Sequence, residues 1–317
     1  MMAWTDRHCR RFHRLLAPGA LLYTEMVTTG AVLHGDRERL LGYDQAEHPL
    51  ALQLGGSDPG QLARCAAVAE RRGYDEVNLN VGCPSDRVQL GRFGACLMYE
   101  PDLVRDCLGA MAGAVAIPVS VKTRLGVDDH CSYGLFRDFV GRVAESGVEV
   151  FIVHARKALL QGLSPKKNRS VPPLHQDWVH RLKREFPALT VVINGGIGSA
   201  AEAEAQLEHV DGVMLGRAAY QSPWVLAQCQ RRLLGGGQPE HPADILPALQ
   251  AYAREQAGRG IPVKQVTRHV LGLFQGRPGA RAWRRYLSEH AHRDDREARV
   301  IERAYAAMAD VLADQAA

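Results

Sequence analysis

The sequence lacks any apolar run of the roughly 18 residues that a helix needs to cross a bilayer. Its opening stretch, MMAWTDRHCRRF, also lacks the apolar core of a secretory signal peptide. Aromatic residues are few, at 6%, but a hydrophobic share of 46% over 317 residues is ordinary for a globular protein. We therefore expect a cytoplasmic protein with one barrel-sized domain and room for a smaller one.

Cysteine is scarce and never arranged as a pair. The seven cysteines are odd in number and scattered, and no two have the CxxC spacing. That pattern disfavours a disulfide framework and a structural zinc site, and free thiols fit a reducing compartment. His154, which ends an apolar run, belongs to no HxH or HExxH pattern, so we predict no metal site.

Acidic residues are missing from one stretch near the end of the chain. Between Arg259 and Arg285 there are seven Lys or Arg residues and no Asp or Glu, although the formal charge of the whole chain is only +4. A local excess of this kind indicates a polyanionic partner such as nucleic acid. A solvated basic face explains it equally well, so both interpretations stay open.

An early GxGxxG turn, the signature of dinucleotide-binding open sheets, is also absent. Short apolar runs rich in β-formers instead alternate with amphipathic stretches. The seven predicted strands are residues 20–26, 49–56, 76–82, 117–124, 148–156, 189–196 and 211–217. Such strands predict a parallel sheet covered by helices. If MMAWTD is the tail of an eighth strand, the α/β fold is a (β/α)8 TIM barrel; a doubly wound open sheet is the alternative.

The chain changes character near residue 235. GGGQPEHP has the composition of a linker, and only helical patterns follow it, in residues 251–257, 263–275, 280–291 and 296–313. We therefore predict a barrel domain over residues 1–235 and a small all-α domain over residues 236–317. Within the barrel, Asp58 and Gly73 are the predicted N-cap and stop of the helix after the second strand.

Polar residues and glycines end the predicted strands, where packing alone would select apolar side chains. They are Gln53, Asn80, Cys83, Lys122, Arg124, His154, Arg156, Asn194, Gly195, Gly196, Gly216 and Arg217. In a barrel the carboxyl ends of all strands share one face, and the active site is built there from the loops. The predicted fold therefore brings these residues together although they are far apart in the sequence.

The last two of these turns, NGGIGS and LGRAAY, contain glycines where barrels commonly bind phosphate. Glycine lets backbone N–H groups approach a ligand closely, and Arg217 can add a charge-assisted contact. A tight turn without a ligand is the alternative. Lys122 can be a Schiff-base lysine, a phosphate ligand, a cation beside an electron-rich cofactor ring, or one half of a buried ion pair. His154 can equally be a structural hydrogen-bonder.

A cysteine that only filled the core would lie inside a strand or on the apolar face of a helix. Cys83 instead follows Gly82 at the end of a predicted strand and is followed at once by Pro84. The segment therefore presents a thiol to something outside the strand. No CxxC partner or neighbouring lysine in the sequence stabilises a thiolate.

Five segments resemble those of the tRNA-dihydrouridine synthases: NLNVGCPSDRVQLGRFGACLM, VSVKTRLG, FIVHARKA, INGGI and GVMLGRAAYQSPW. LYTEMVTTGAVLHGD, HPLALQLGGSDP and GLSPKKNR resemble the DusA subfamily in particular, and the similarity extends to LGLFQGRPGARAWRRYLSE. The resemblance implies an FMN-bound barrel that uses NADPH to reduce the C5=C6 bond of uridines at positions 20 and 20a in the tRNA D-loop. FMN is reduced first and its N5 passes a hydride to C6, while Cys83 donates a proton to C5 from a mobile loop.

The resemblance also implies roles for particular residues. FMN would be held by Met1, Met2, Gln53, Lys122, His154, Asn194, Gly195, Gly196, Gly216 and Arg217. The flipped-out uridine would meet Asn80 and Arg124, and the tRNA would be oriented by Lys166, Arg169, Arg281 and Arg284. Arg285 joins the last two on one helix face by spacing alone.

Family members usually begin with a further segment that reads like FSVAPM, ahead of the residues equivalent to WTDRH. By that comparison most of the first strand is missing, so we expect that the true translation start lies upstream of Met1. The alternative is a barrel that closes poorly and binds FMN weakly.

Three other functions stay open beside this one. An FMN barrel acting on a small molecule would not need a basic helical domain. A Schiff-base aldolase would use Lys122 and contain no flavin, and a non-enzymatic RNA-binding protein would leave Cys83 inert. For the tRNA-modifying enzyme we expect a monomer.

Overall fold

The computed structural model describes residues 1–293 and 298–316. Its internal contacts divide the chain into two compact units. The first unit comprises Met1–Met2, Leu21–Ile197 and Ala201–Leu215, and the second comprises Ala3–Ala20, Gly198–Ala200 and Gly216–Ala317. Thus the second unit is assembled mainly from the beginning and the end of the chain.

The first unit is built on seven parallel strands that neighbour one another in the order of the sequence. They are β1 (Leu22–Thr28), β2 (Leu50–Gly55), β3 (Glu76–Val81), β4 (Val119–Arg124), β5 (Val150–His154), β6 (Thr190–Asn194) and β7 (Gly212–Met214). Every residue of β2 and β3 is buried, as expected for a parallel sheet with both faces covered. All seven predicted strands are confirmed.

The strand order decides between the two predicted architectures. A doubly wound sheet reverses its strand order at a switch point, whereas the order here runs from β1 to β7 without reversal. The predicted strand tail at MMAWTD is wrong, because these residues form turns and bends. The Asp6 carboxylate instead accepts hydrogen bonds from the backbone N–H groups of His8 and Cys9, at 3.0 Å each, which commits this segment to capping a helix. No eighth strand joins the sheet within the described residues.

Helices follow the strands along the chain. They are α2 (Thr29–His34), α3 (Arg37–Leu41), α4 (Pro59–Arg71), α5 (Asp86–Leu90), α6 (Pro101–Ala112), α7 (Tyr133–Ala144), α8 (Gln176–Glu185) and α9 (Ala200–Leu207). The predicted boundaries of α4 are confirmed: Asp58 accepts from the Gln61 N–H at 2.7 Å, and Gly73 ends the helix with a φ of 85°.

The second unit is helical in the residues that the structure describes. Its helices are α1 (Arg7–Leu16), α10 (Arg217–Gln221), α11 (Trp224–Leu233), α12 (Leu246–Gly258), α13 (Val263–Thr267), α14 (Ala280–His290) and α15 (Arg299–Ala316). Its core includes the fully buried Trp283, which packs edge-on against Phe274 at 4.9 Å and donates to the Val270 carbonyl at 3.1 Å. None of these helices has both the length and the apolar character required to cross a bilayer.

One predicted helix, residues 263–275, is wrong beyond Thr267, where turns follow. A Cβ atom on Gly272 would lie 2.4 Å from the Gln221 carbonyl oxygen, so this position requires glycine, which weakens a helix. Gly276 and Gly279 then adopt φ values of 79° and 75°.

The predicted domain division at residues 235 and 236 differs from the two units, since residues 216–235 cluster with the later helices. As a statement about which segment binds FMN and which binds tRNA, the division stays a prediction. Of the predicted helix over residues 296–313, Arg296 and Glu297 lie outside the described residues.

Candidate active site

The carboxyl ends of five neighbouring strands carry the predicted polar side chains of the first unit. Gln53 lies on β2, Asn80 on β3, Lys122 and Arg124 on β4, His154 on β5 and Asn194 on β6. The strand register pairs Asn80 with Lys122, Arg124 with His154, and His154 with Asn194. Because alternate residues of a strand point to the same face, the sheet brings these side chains to one edge on one face.

Lys122 is half-buried and has no carboxylate within ion-pair distance among the described residues. Its Nζ donates to the Asn194 Oδ1 at 3.2 Å. Burial, reinforced by the positive charge of Arg124, lowers the pKa of Lys122 to about 8. The buried ion pair considered from the sequence is therefore not formed, and this ammonium group is available to an electron-rich partner.

Asn194 fixes the direction in which that ammonium group donates. Its Nδ2 donates to the Met214 carbonyl at 2.7 Å, so its Oδ1 faces Lys122. The amide thus links β4, β6 and β7 at the level where the strands end.

The turn after Asn194 admits only glycine at two successive positions. Gly195 and Gly196 have φ values of 108° and 77°. A Cβ atom on Gly195 would lie 2.7 Å from the His154 ring, and one on Gly196 would lie 2.5 Å from the Leu174 side chain. The backbone therefore runs directly against the His154 imidazole, in a conformation that other residues rarely adopt.

The Cys83 loop is held from three sides. The Asn80 Oδ1 accepts from the N–H groups of Gly82 and Cys83 at 3.1 and 2.9 Å. The Arg124 Nε donates to the Gly82 carbonyl at 2.8 Å, and the Ala95 N–H donates to the Cys83 carbonyl at 2.9 Å. Cys83 itself is half-buried, and its Sγ donates to the Ser85 Oγ at 3.5 Å. These bonds fix the loop backbone around the thiol.

Arg124, predicted to help to contact the uridine, is only 4% exposed. Besides Gly82, its guanidinium donates to the carbonyls of Lys157 and Asn168, at 3.0 Å each. Burial lowers the pKa of Arg124 to about 10, and a Cys83 thiolate would raise the pKa values of both Arg124 and Lys122. Arg124 thus holds loops together; its contact with substrate stays a prediction.

Sequence reasoning missed these two cations beside Cys83, because it inspected only the residues adjacent to the cysteine. The register of β3 and β4 places the end of β4, with Lys122 and Arg124, beside the end of β3, which leads into the Cys83 loop. Sequence reasoning also missed Asn78, which accepts from the Gln53 Nε2 at 2.9 Å while the Gln53 Oε1 accepts from the Asn80 Nδ2 at 2.9 Å. The alternation Asn78, Leu79, Asn80 was the available signal, since alternate strand residues share a face.

The other predicted residues of the first unit lie at its surface or on loops. Met1 is half-buried and Met2 is 61% exposed. Lys166 is exposed and Arg169 is half-buried, on either side of Asn168. That buried asparagine donates to the Leu159 carbonyl at 2.8 Å and accepts from the Leu159 N–H at 2.7 Å, which fixes the shape of the basic loop.

In the second unit, Gly216 precedes the first residue of α10, Arg217. A separate open groove of about 730 Å³ surrounds the start of α14. Its lining residues are Gln275, Gly276, Arg277, Gly279, Ala280, Arg281, Ala282, Arg284 and Arg285. None of the described lining residues is acidic, and none of these four arginines lies within ion-pair distance of a described carboxylate. Because helix N-termini carry partial positive charge, the groove suits an anionic ligand.

Comparison with known proteins places these features in context. The model of the dihydrouridine synthase family matches residues 1–309. The chain is 59% identical, over 96% of its length and 90% of the relative's, to the tRNA-dihydrouridine(20/20a) synthase of Xanthomonas campestris. It is 56% identical, over 98% of its length and 90% of the relative's, to the enzyme of the same name from Escherichia coli K12.

Solved structures show likeness in fold alone. An old yellow enzyme homologue from Zymomonas mobilis superposes with a TM-score of 0.50 at 12% identity, covering 70% of this chain and 82% of the other. Morphinone reductase superposes with a TM-score of 0.51 at 13% identity, covering 75% and 83%.

Proposed function

The chain belongs to the dihydrouridine synthase family, and we propose that it reduces uridines at positions 20 and 20a of the tRNA D-loop to dihydrouridine, with FMN as cofactor and NADPH as reductant. One observation carries the assignment beyond the similarity. The Cys83 loop and the cation Lys122 meet at the carboxyl ends of neighbouring strands β3 and β4. A proton donor thus lies beside a group that stabilises negative charge.

A flavin fits the residues of the first unit. Lys122 is a cation with no carboxylate partner among the residues that the structure describes, and negative charge accumulates on a flavin ring when it is reduced. The turn at Gly195 and Gly196 offers backbone at close approach, as a phosphate requires. When bound, FMN would supply the hydride that saturates the uracil C5=C6 bond. We propose that Gln53, Lys122, Asn194 and these glycines hold it, with His154 packed beneath the turn.

Further predicted FMN contacts rest on the family resemblance. Gly216 and Arg217 are proposed from their motif to bind the FMN phosphate, and Met1 and Met2 from their position before WTDRH.

Cys83 is the proposed proton donor to C5 of the uracil. Its backbone is fixed by Asn80, Arg124 and the Ala95 N–H, so the position of the thiol depends mainly on its own side-chain rotation. A general acid needs this fixed reach toward the atom that it protonates. Asn80 and Arg124 are also proposed to contact the extruded uridine.

The basic surfaces are proposed to bind the tRNA backbone. Arg281 and Arg284 lie in the groove at the start of α14, and Arg277 and Arg285 extend the same cationic lining. Lys166 and Arg169 are proposed to add contacts from the first unit. Contacts of this kind orient an RNA and make its binding salt-dependent.

Broader expectations are proposed with the function. The sequential parallel order supports a sheet of the (β/α)8 barrel type, and the helical second unit supports a separate tRNA-binding region. A monomer in the cytoplasm is the form that we propose for the enzyme.

A spectrum tests the redox half of the proposal. We expect the purified protein to show the absorbance of oxidised flavin and to bleach when NADPH is added under nitrogen. A small-molecule flavin reductase would pass this test but would leave tRNA unchanged. A protein that binds no flavin, even after incubation with FMN, would contradict the proposal.

A further inference from the structure

A continuous chain of side-chain hydrogen bonds runs through the first unit beneath the Cys83 loop. From bottom to top, Ser120 donates to Glu76 at 2.5 Å, Asn78 donates to Ser120 at 2.7 Å, and Gln53 donates to Asn78 at 2.9 Å. Asn80 then donates to Gln53 at 2.9 Å and accepts from the Gly82 and Cys83 N–H groups. Each donor points in the same direction along the chain.

The members of the chain are buried, two of them completely. Asn78 and Ser120 are completely buried, and Glu76, Gln53 and Asn80 are at most 9% exposed. A reversed amide inside it would therefore leave a buried donor facing a donor, with no water to satisfy either.

Both ends of the chain set the same direction, since Glu76 accepts at the bottom and the Gly82 and Cys83 N–H groups donate to Asn80 at the top. Burial raises the pKa of Glu76, and the hydrogen bonds from Ser120 and Tyr23 oppose that rise. As a carboxylate, Glu76 only accepts, so Ser120 uses its single proton on Glu76. The Ser120 oxygen can then only accept, which obliges Asn78 to turn its NH2 group toward the serine and its carbonyl toward Gln53. The same logic passes through Gln53 and fixes the carbonyl of Asn80 toward the loop.

We infer that Glu76, Ser120 and Asn78 are positioning residues, which act through Gln53 and Asn80 to hold the Cys83 loop in its productive place. If the Asn80 amide were reversed, its NH2 group would face two backbone N–H donors and the loop would lose both hydrogen bonds. This inference rests on the proposed function insofar as it concerns the reduction of tRNA.

A matched pair of variants tests the inference. Ser120→Ala removes the bond through which Glu76 orients Asn78. Tyr23→Phe removes a second bond to the same Glu76 oxygen, from the Tyr23 hydroxyl at 2.7 Å, without interrupting the chain. Both variants lose one hydrogen bond to Glu76, and Ser120→Ala also removes the acceptor of the Asn78 amide. A purely structural role therefore predicts a larger loss of stability in Ser120→Ala, but similar rates of tRNA reduction by the folded protein in both variants.

We expect the single-turnover reduction of tRNA by pre-reduced enzyme to slow by at least about tenfold in Ser120→Ala and by less than about twofold in Tyr23→Phe. Reduction of bound flavin by NADPH should change by less than about threefold in either variant, which separates the tRNA step from flavin loss. Equal rates of tRNA reduction in the two variants would overturn the inference.

The rate at which iodoacetamide alkylates Cys83 reports the conformation of the loop in the absence of tRNA. The rate at Cys83, taken relative to the half-buried Cys131 by peptide mass spectrometry, should change several-fold in Ser120→Ala and stay unchanged in Tyr23→Phe. An unchanged ratio in Ser120→Ala overturns the inference. Because this readout does not involve reduction, its failure is distinct from a failure of the wild-type protein to modify tRNA.

Two substitutions at Asn78 provide an independent test if Ser120→Ala does not fold. In either protonation state, Asp at this position keeps an oxygen that accepts from Gln53, so Asn78→Asp still obliges Gln53 to donate downward and keeps Asn80 oriented. Asn78→Leu removes this constraint at similar volume. We expect tRNA reduction at least about tenfold faster in Asn78→Asp than in Asn78→Leu, and equal rates would overturn the inference.

Discussion

In the seven-stranded unit the polar side chains of the candidate site are buried or half-buried and bond to one another and to loop backbone, whereas the arginines that line the groove of the helical unit are half-buried or exposed and face no described carboxylate. Asn80 and Arg124 illustrate the first arrangement, since each bonds loop backbone with nearly all of its surface hidden. Arg281 and Arg285 illustrate the second, exposed at the start of α14.

The difference corresponds to two functions, the precise placement of reacting groups and the attraction of a polyanion. Buried hydrogen bonds fix atoms to a fraction of an ångström, as a reacting centre requires. Exposed cations attract a polyanion over a distance and tolerate variation in its path. We therefore expect substitutions in the first unit to change the rate of the reaction, and substitutions in the groove to change the affinity for tRNA and its dependence on salt.

The largest effect should come from Cys83→Ala. Removing the proton donor should slow tRNA reduction by at least about 100-fold, because general acid catalysis contributes on that order. Flavin content and the reduction of flavin by NADPH should be retained. Cys131→Ala, at another half-buried cysteine, is the control and should behave as the wild type. A Cys83→Ala variant with the wild-type rate would remove Cys83 from its role.

Gly195→Ala should impair flavin binding. Its Cβ would lie 2.7 Å from the His154 ring, so the turn must shift, and about 1.4 kcal/mol of rearrangement suffices for a tenfold loss of affinity. Gly147→Ala is the matched control, since Gly147 has a φ of 83° but nothing within 4 Å of the added Cβ. Titration of the flavin-free proteins with FMN measures both. Equal affinities in the two variants would show that this turn does not hold the cofactor.

Arg284→Ala and Arg281→Ala should each weaken tRNA binding several-fold without altering the reduction of flavin by NADPH. Each lost phosphate contact should also reduce the slope of log affinity against log salt by about one. Arg231→Ala removes an arginine already paired with Glu240 at 2.5 Å and should change neither quantity. A slope that is unchanged in both groove variants would contradict the tRNA-binding role of the groove.

Two buried histidines of the helical unit should affect stability but leave the reaction unchanged near neutral pH. Burial lowers the pKa of His8 to about 4 and that of His13 to about 3, from 6.5. The unfolded chain therefore binds protons first as the pH falls. Their contribution to stability is complete above pH 6.5 and decreases below it, by about 1.4 kcal/mol per pH unit for each histidine.

Denaturant unfolding at several pH values between 6.5 and 4 measures this decrease. His8→Gln should reduce the slope, because one of these two histidines no longer titrates. His292→Gln, at an exposed position of the same unit, should leave the slope as it is. A wild-type protein whose stability is flat across this range would contradict the predicted burial of His8 and His13.

The sequence was sufficient for the strands and for the part of the site that lies at their ends. Apolar runs such as the one that ends at Asn80 predict parallel strands, and the carboxyl ends of parallel strands lie at the same edge of the sheet. The helix predicted through Gly272 was wrong beyond Thr267, and the close approach of the Gln221 carbonyl to Gly272 is a contact that no local pattern reveals.

The interior of the site was harder to predict for a related reason. Glu76, Asn78 and Ser120 lie within strands, and only the lateral register makes them neighbours. Read singly, each looks like an isolated polar residue in an apolar run. Their alternation with Asn80 and Lys122 on the same strands is the signal that places them on one face.

The most direct test is to incubate the purified protein with NADPH and an unmodified tRNA transcript, and then to locate the uridines that gain the mass of two hydrogen atoms. We predict this gain at positions 20 and 20a with the wild-type protein and its loss with Cys83→Ala. If bound flavin is reduced by NADPH while every uridine of the tRNA keeps its mass, the proposed reaction is contradicted.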